Sequence, residues 1–172
     1  MHVLIVGPRQ VGKSTLINKV LQAVNRPVWG FATKKEADLY DPALGHPIYI
    51  YNANGPRTQT KDNLVGYCMN HCPLVYTEVF ERYALKLQET PPEGSVILMD
   101  ELGFMESRAK DFCDTVMKHL DGEIPVIAAV KNKSTDFLDA VKNHPNCKCF
   151  FISEENRDSL AEEVLAFLEK QF

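Results

Sequence analysis

The residues with the clearest chemical purpose are Gly7-Pro8-Arg9-Gln10-Val11-Gly12-Lys13-Ser14, which fit the spacing G-x-x-x-x-G-K-[ST]. Such a loop is suited to holding a phosphate chain. Gly7 and Gly12 let the backbone bend into a nest whose amides point at an anion. The amides from Gln10 to Thr15 are expected to face the β-phosphate, helped by the positive end of a following helix. Lys13 is expected to bridge the β- and γ-phosphates and Ser14 to ligate Mg²⁺ through its hydroxyl, while Thr15 bonds the α-phosphate. Every position from Gly7 to Thr15, with Pro8, Arg9, Gln10 and Val11 among them, is read as contacting the nucleotide. A match to this spacing arises by chance in roughly one such chain in a few hundred. A strand before it and an amphipathic helix after it make chance rarer still.

A phosphate loop needs a partner for the metal. Val96-Ile97-Leu98-Met99 is an apolar run that ends in Asp100 and Glu101. Asp100 is placed to hold Mg²⁺ through water, and Glu101 to orient or deprotonate the attacking water. If the strand continues through both acids, alternation sends their side chains to opposite faces. The bases available to stabilise charge on a transferred phosphoryl group are Arg9, Lys34, Lys35, Arg57, Lys61, Arg108 and Arg157.

The elements that must position these groups alternate between strand-like and helix-like patterns, which indicates an α/β fold with a mainly parallel sheet. His2–Val6 reads as a buried strand. Apolar residues Leu16, Ile17, Val20, Leu21 and Val24 then recur at helical spacing. Val28–Thr33 and the run from Ile48 to Asn54 read as a hairpin-like pair of strands, with a further strand at Leu64–Met69. Leu74–Glu89 carries a helical stripe of Val75, Val79, Tyr83 and Leu87. After the break at Pro91–Gly94 come the acid-terminated strand, a helix from about Ser107 to Leu120, and the strand Val126–Val130. A helix near Asp136–Asn143, a strand at Lys148–Ile152 and a helix near Ser159–Gln171 complete the chain. No repeat or linker interrupts residues 1–172, so one domain is expected.

Composition narrows the class. The 172 residues are 45% hydrophobic and 24% charged, a balance that excludes disorder and suits a packed core. Acids outnumber bases, 23 to 19, which argues against nucleic acid as the main partner. No apolar run reaches membrane-spanning length, and the opening MHVLIVGPRQ lacks a basic leader. A cytoplasmic monomer with no membrane partner is the expectation. The five cysteines read as free thiols, since Cys68-x3-Cys72 and Cys147-x-Cys149 lack metal-ligand spacing.

Taken in order, several segments resemble one family. They are Gly7–Thr15, Gly30-Phe31-Ala32-Thr33, Val65-Gly66-Tyr67, Asp100-Glu101-Leu102-Gly103-Phe104-Met105-Glu106, Phe112 and Glu155-Asn156-Arg157. This succession resembles the cancer-related nucleoside-triphosphatase family, and the likeness spans nearly the whole chain. The resemblance implies a three-layer P-loop sandwich and Mg²⁺-dependent hydrolysis of ATP, GTP and other nucleoside triphosphates with little base selectivity. It also implies that Glu106 and Phe112 organise the helix behind the site. In such enzymes with an extra strand between loop and acid, the Val126 strand lies between those of His2 and Val96.

The chain departs from the family pattern at three places. Lys34-Lys35-Glu36-Ala37 stand where Glu residues and an Arg are usual, Phe104 replaces a Lys, and Gln10 replaces a loop glycine. Three other functions fit parts of the sequence. A GTPase-like switch is suggested by Asp100–Gly103 as D-x-x-G and by Asn132-Lys133-Ser134-Thr135-Asp136, one residue too long for a guanine-reading N-K-x-D. A small-molecule or nucleotide kinase shares the core but usually closes an Arg-bearing lid. A non-catalytic nucleotide-binding module is the third.

Overall fold

The computed structural model describes residues 1–172. In chain order the elements are β1 (His2–Gly7), α1 (Lys13–Val24), β2 (Val28–Lys35), β3 (His46–Asn52), β4 (Leu64–Met69), β5 (Cys72–Val75) and α2 (Thr77–Leu87). They continue with β6 (Val96–Leu102), α3 (Lys110–Asp121), β7 (Val126–Lys131), α4 (Asp136–Lys142), β8 (Cys147–Phe151) and α5 (Arg157–Glu169). All eight strands form one sheet in the order β5-β4-β3-β2-β6-β7-β1-β8. Neighbours from β2 through β8 run parallel, and β3, β4 and β5 are added antiparallel. The central strand β7 separates β1 from β6, as the sequence leads one to expect.

Strand alternation generates the three layers. In β1, Val3 and Ile5 pack against α1 and α5, whereas Leu4 and Val6 pack on the other face with α2, α3 and α4. In β7, Ile127 and Ala129 take the first face, and Val126, Ala128 and Val130 the second. A strand covered on both faces must be apolar at every position, and β1 is buried from end to end. On the second face Phe31, Phe80 and Phe112 meet edge to face, with ring centres 5.3 Å apart at both Phe112 contacts. Phe112 is fixed further by Glu81 of α2, whose carboxylate accepts from the Phe112 amide at 3.2 Å and the Asp111 amide at 3.3 Å. That carboxylate supplies the N-terminal cap that α3 lacks locally.

Two boundaries differ from the sequence pattern. Leu74 and Val75 belong to β5 rather than to a helix, and α2 begins only at Thr77. Val75 sits four positions before Val79, so the helical stripe extends back across a residue that instead pairs with Gly66. The Tyr76 amide continues the ladder by donating to the Val65 carbonyl at 2.8 Å. Likewise α3 starts at Lys110, not near Ser107, because residues 103–109 are spent in a loop around Glu106. The expected pair of added strands is a three-stranded antiparallel extension.

At the edge where the parallel strands begin, the sheet is closed by neutral hydrogen bonds. His2 is 1% exposed, its Nε2 donates to the Leu120 carbonyl at 2.9 Å and its Nδ1 accepts from the Val126 amide at 3.1 Å. Both ring nitrogens are used, which fixes the neutral tautomer. Burial lowers the His2 pKa below its ordinary value.

Candidate active site

The opposite edge, where the parallel strands end, carries the charged chemistry. β1 runs into the loop Pro8–Gly12 and then α1. Gly7 is required by a close approach: a Cβ there would lie 2.6 Å from Ile152 Cγ2 and 2.9 Å from the Ile152 carbonyl oxygen. Gly12 has φ 110°, a conformation that L side chains rarely adopt. Gln10, at φ 58°, takes the left-handed conformation as a non-glycine. Val11 differs from its neighbours in turning its side chain into the core, 4% exposed, so only its backbone can serve the loop. The N-terminus of α1 has no side-chain cap and no acid in its first turn. Its free amides are therefore available to an anion.

Lys13 is 5% exposed and folded over the loop. Its ammonium donates to the Gly7 carbonyl at 2.8 Å and the Pro8 carbonyl at 2.6 Å, and pairs with Glu101 Oε2 at 3.2 Å. The Ser14 hydroxyl lies 2.9 Å and 3.1 Å from the two carboxylate oxygens of Asp100. Asp100 Oδ2 also accepts from Lys34 at 2.9 Å. Lys131, the last residue of β7, reaches Glu101 Oε1 at 3.7 Å. Asp100 and Glu101 thus face the same loop, contrary to simple alternation. The reason is an irregularity in the ladder: Asp100 pairs with Ala129 and Leu102 with Val130, leaving Glu101 as an extra residue. A bulge of this kind re-aims one side chain without ending the strand.

Behind the acids, Glu106 is buried and accepts from the Gly103 amide, which ties the loop after β6 into a closed turn. Burial raises its pKa to about 7. The Cys113 thiol, pushed up to about 12 by burial, donates to the Glu106 carbonyl at 3.2 Å. Phe104 projects from the same turn, and the ammonium groups of Lys131 and Lys133 lie 5.0 Å and 4.9 Å from its ring centre.

These groups line a cleft of about 800 Å³. Arg9, Lys13, Lys34, Lys35, Lys131 and Lys133 contribute six bases against the three acids Asp100, Glu101 and Glu106. A locally basic cleft inside a chain of net charge −4 suits a polyanionic ligand. The donor set also suits Mg²⁺, which prefers hard oxygen ligands. Ser14 and Asp100 offer such oxygens, and the Thr33 hydroxyl, buried without a partner, lines the same cleft.

A family model described as NTPase matches residues 2–165. The chain belongs to this NTPase family. A nucleoside-triphosphatase THEP1 from Thermotoga petrophila is 30% identical over 98% of this chain and 93% of its own. A cancer-related nucleoside-triphosphatase homolog from Mus musculus is 29% identical over 98% of this chain and 96% of its own. The crystal structure of THEP1 from Aquifex aeolicus superimposes with a TM-score of 0.70, covering 98% of this chain and 99% of that one, at 22% identity. That likeness carries the fold.

Within this NTPase the structure brings Gly7, Pro8, Arg9, Gln10, Gly12, Lys13, Ser14, Thr15, Asp100 and Glu101 to one cleft. Arg9 leans away from the loop to the β4–β5 turn, where its guanidinium bonds His71 Nδ1 at 3.2 Å. Of the other bases considered from sequence, Lys34 and Lys35 line the cleft, and the Arg157 chain passes 3.8 Å from a Cβ placed on Gly12. Arg57 instead stands over the Tyr51 ring at 5.3 Å, outside the cleft lining. Lys131 was not singled out by any motif. Its signal is positional, because in parallel sheets ligands bind beyond the carboxyl ends of the strands. Of the guanine-like segment Asn132–Asp136, Asn132 and Lys133 line the cleft, whereas Thr135 caps α4 by accepting from the Leu138 amide at 3.1 Å and Ser134 donates to Asp139 at 2.6 Å.

Proposed function

We propose that the cleft hydrolyses ATP, GTP and other nucleoside triphosphates to the diphosphate and phosphate, with Mg²⁺ as cofactor and little base selectivity. Family membership supports the hydrolysis. The observation that carries the mechanism is the convergence of Lys13, Ser14, Asp100 and Glu101 at the ends of β1 and β6. The phosphate loop and the first-turn amides of α1 cradle the phosphates, and Lys13 neutralises the transferred group. Ser14 and Asp100 would hold the metal, which would supply charge neutralisation to the phosphate oxygens. Glu101 orients the attacking water and takes its proton. Its contact with Lys13, the group proposed to bind the γ-phosphate, supports that role.

Lys131 shares the Glu101 carboxylate and adds positive charge on the water side of the site. Glu106 keeps the loop after β6 in place through the Gly103 amide. The base of the nucleotide is left to a part of the cleft without a guanine-reading carboxylate, since Asp136 opens α4. That supports low selectivity. No helix is long and apolar enough to cross a membrane.

The test is phosphate release from ATP, GTP, CTP and UTP, each with and without nucleoside and nucleoside-monophosphate acceptors. The expected result is comparable release from all four, dependent on Mg²⁺ and indifferent to acceptor. Release only with GTP, or phosphate transfer to an acceptor, would overturn the proposal.

A further inference from the structure

The acids of β6 are each paired with a lysine, yet the pairs differ in what else the lysine touches. Lys13 spends its remaining donors on the loop carbonyls of Gly7 and Pro8. Lys34 instead bonds both members of the pair assigned to the metal: its ammonium lies 2.9 Å from Asp100 Oδ2 and 3.4 Å from Ser14 Oγ. These are the same two groups, 2.9 Å apart, that would share a divalent cation. The Lys34 side chain is 30% exposed and Asp100 9%, so the contact sits at the cleft wall, where screening by water is reduced.

We infer that Lys34 is a built-in competitor of Mg²⁺ for the Ser14–Asp100 pair and sets the concentration of divalent cation at which the triphosphate is held. This rests on the assignment of Ser14 and Asp100 to the metal. An ammonium and a divalent ion cannot share one carboxylate oxygen without strong repulsion at such range. Each bound Mg²⁺ must therefore turn Lys34 out of its contacts. The four-carbon stem has the rotamers to do so, because Lys34 lies near the end of β2, and its ammonium faces the cleft rather than the core. Lys35, next along the strand, lines the same cleft but pairs with neither acid. Lys61, exposed and outside the cleft lining, serves as a control for the loss of one positive charge.

The experiment titrates Mg²⁺ into the full chain with a dilute fluorescent, non-hydrolysable ATP analogue and reads half-saturation of binding. Mn²⁺ uptake followed by electron paramagnetic resonance gives a second readout, and neither depends on turnover. Lys34→Met is expected to lower the half-saturating Mg²⁺ on the order of tenfold, with Lys34→Gln close behind, while Lys61→Met stays within about twofold of the parent. Asp100→Asn should raise it. If Lys34→Met and Lys34→Gln match the parent, or Lys61→Met shifts as far as they do, competition at the metal pair is overturned, with Asp100 still assigned to the metal. If Asp100→Asn leaves half-saturation unchanged, the metal assignment falls, and the role of Lys34 falls with it.

Discussion

The two edges of the parallel sheet solve opposite problems with the same strands. Where β1, β6 and β7 begin, the strand ends are closed by uncharged hydrogen bonds: His2 uses both ring nitrogens, and the Val96 and Ile97 amides bond the Pro27 and Pro125 carbonyls at 2.8 Å, while the Ser95 hydroxyl is buried with no partner. Where the same strands end, the groups are charged and paired across the cleft, as in Lys13–Glu101 and Lys34–Asp100. The first arrangement holds the layers together. The second keeps its charges for a ligand, and tolerates their cost because the apolar layers beneath supply the stability.

The comparison predicts that changes at the charged edge abolish chemistry and spare the fold, and that changes at the neutral edge do the reverse. The largest effect is expected for Lys13→Ala, which removes the cation over the phosphate loop. Turnover should be abolished and triphosphate affinity weakened, with the thermal midpoint of unfolding within a few degrees of the parent. A Lys13→Ala variant with near-parental phosphate release would break the comparison outright. Next is Glu101→Gln, which should still bind Mg²⁺ and triphosphate but turn over about 10² to 10⁴-fold more slowly in single-turnover assays. A parental rate would move the base elsewhere, with Glu106 the next carboxylate along the cleft.

At the neutral edge, His2→Ala should cost about 2–3 kcal/mol of stability in denaturant unfolding, from a lost side chain and an unpaired Val126 amide. Its kcat should stay within about twofold of the parent. The smallest effect is in the pH dependence of that difference. Because burial lowers the folded-state pKa of His2, its stabilising contribution is full above the ordinary value of 6.5. It is lost as pH falls through the folded pKa, where the native ring must take up a proton. The gap between parent and His2→Ala should therefore narrow between pH 7.5 and pH 5. Glu106 acts in the other direction. Its raised pKa makes it stabilising below 4.5, a contribution lost as pH rises through about 7. Comparing parent with variant cancels that slope. A gap that widens on acidification would show the ring to be charged in the native state.

The charged edge was legible in the sequence wherever its residues are close in the chain. Gly7 to Thr15 carry their chemistry in their spacing, and the strand ending in Asp100 announces itself by five apolar and acidic positions in a row. The place of β7 between β1 and β6 followed from the resemblance to P-loop enzymes of that type. What spacing does not carry is contact between distant strands. Lys131 reaches Glu101 from the neighbouring β7, and Lys34 reaches Asp100 from β2, and no local pattern marks either. The bulge at Glu101 was equally hidden, since alternation assigns the two acids to opposite faces and only the β6–β7 register reveals the extra residue. β5 was lost to ambiguity: a short apolar pair before a helix fits the helical period as well as it fits a strand.

One feature of α1 reaches beyond catalysis. Its first internal bond is Leu16 N–H to the Gly12 carbonyl at 3.0 Å, and no side chain caps the turn before it. The amide hydrogens of Lys13, Ser14 and Thr15 are therefore left without a partner in the chain, and under the proposed function the phosphates of a bound nucleotide would complete them. Hydrogen exchange at these three positions should slow when triphosphate binds, and unfolding should shift upward with its concentration as linkage requires. On that proposal substrate would stand in the place of the missing cap, and the local order of the chain would become a gauge of the nucleotide around it.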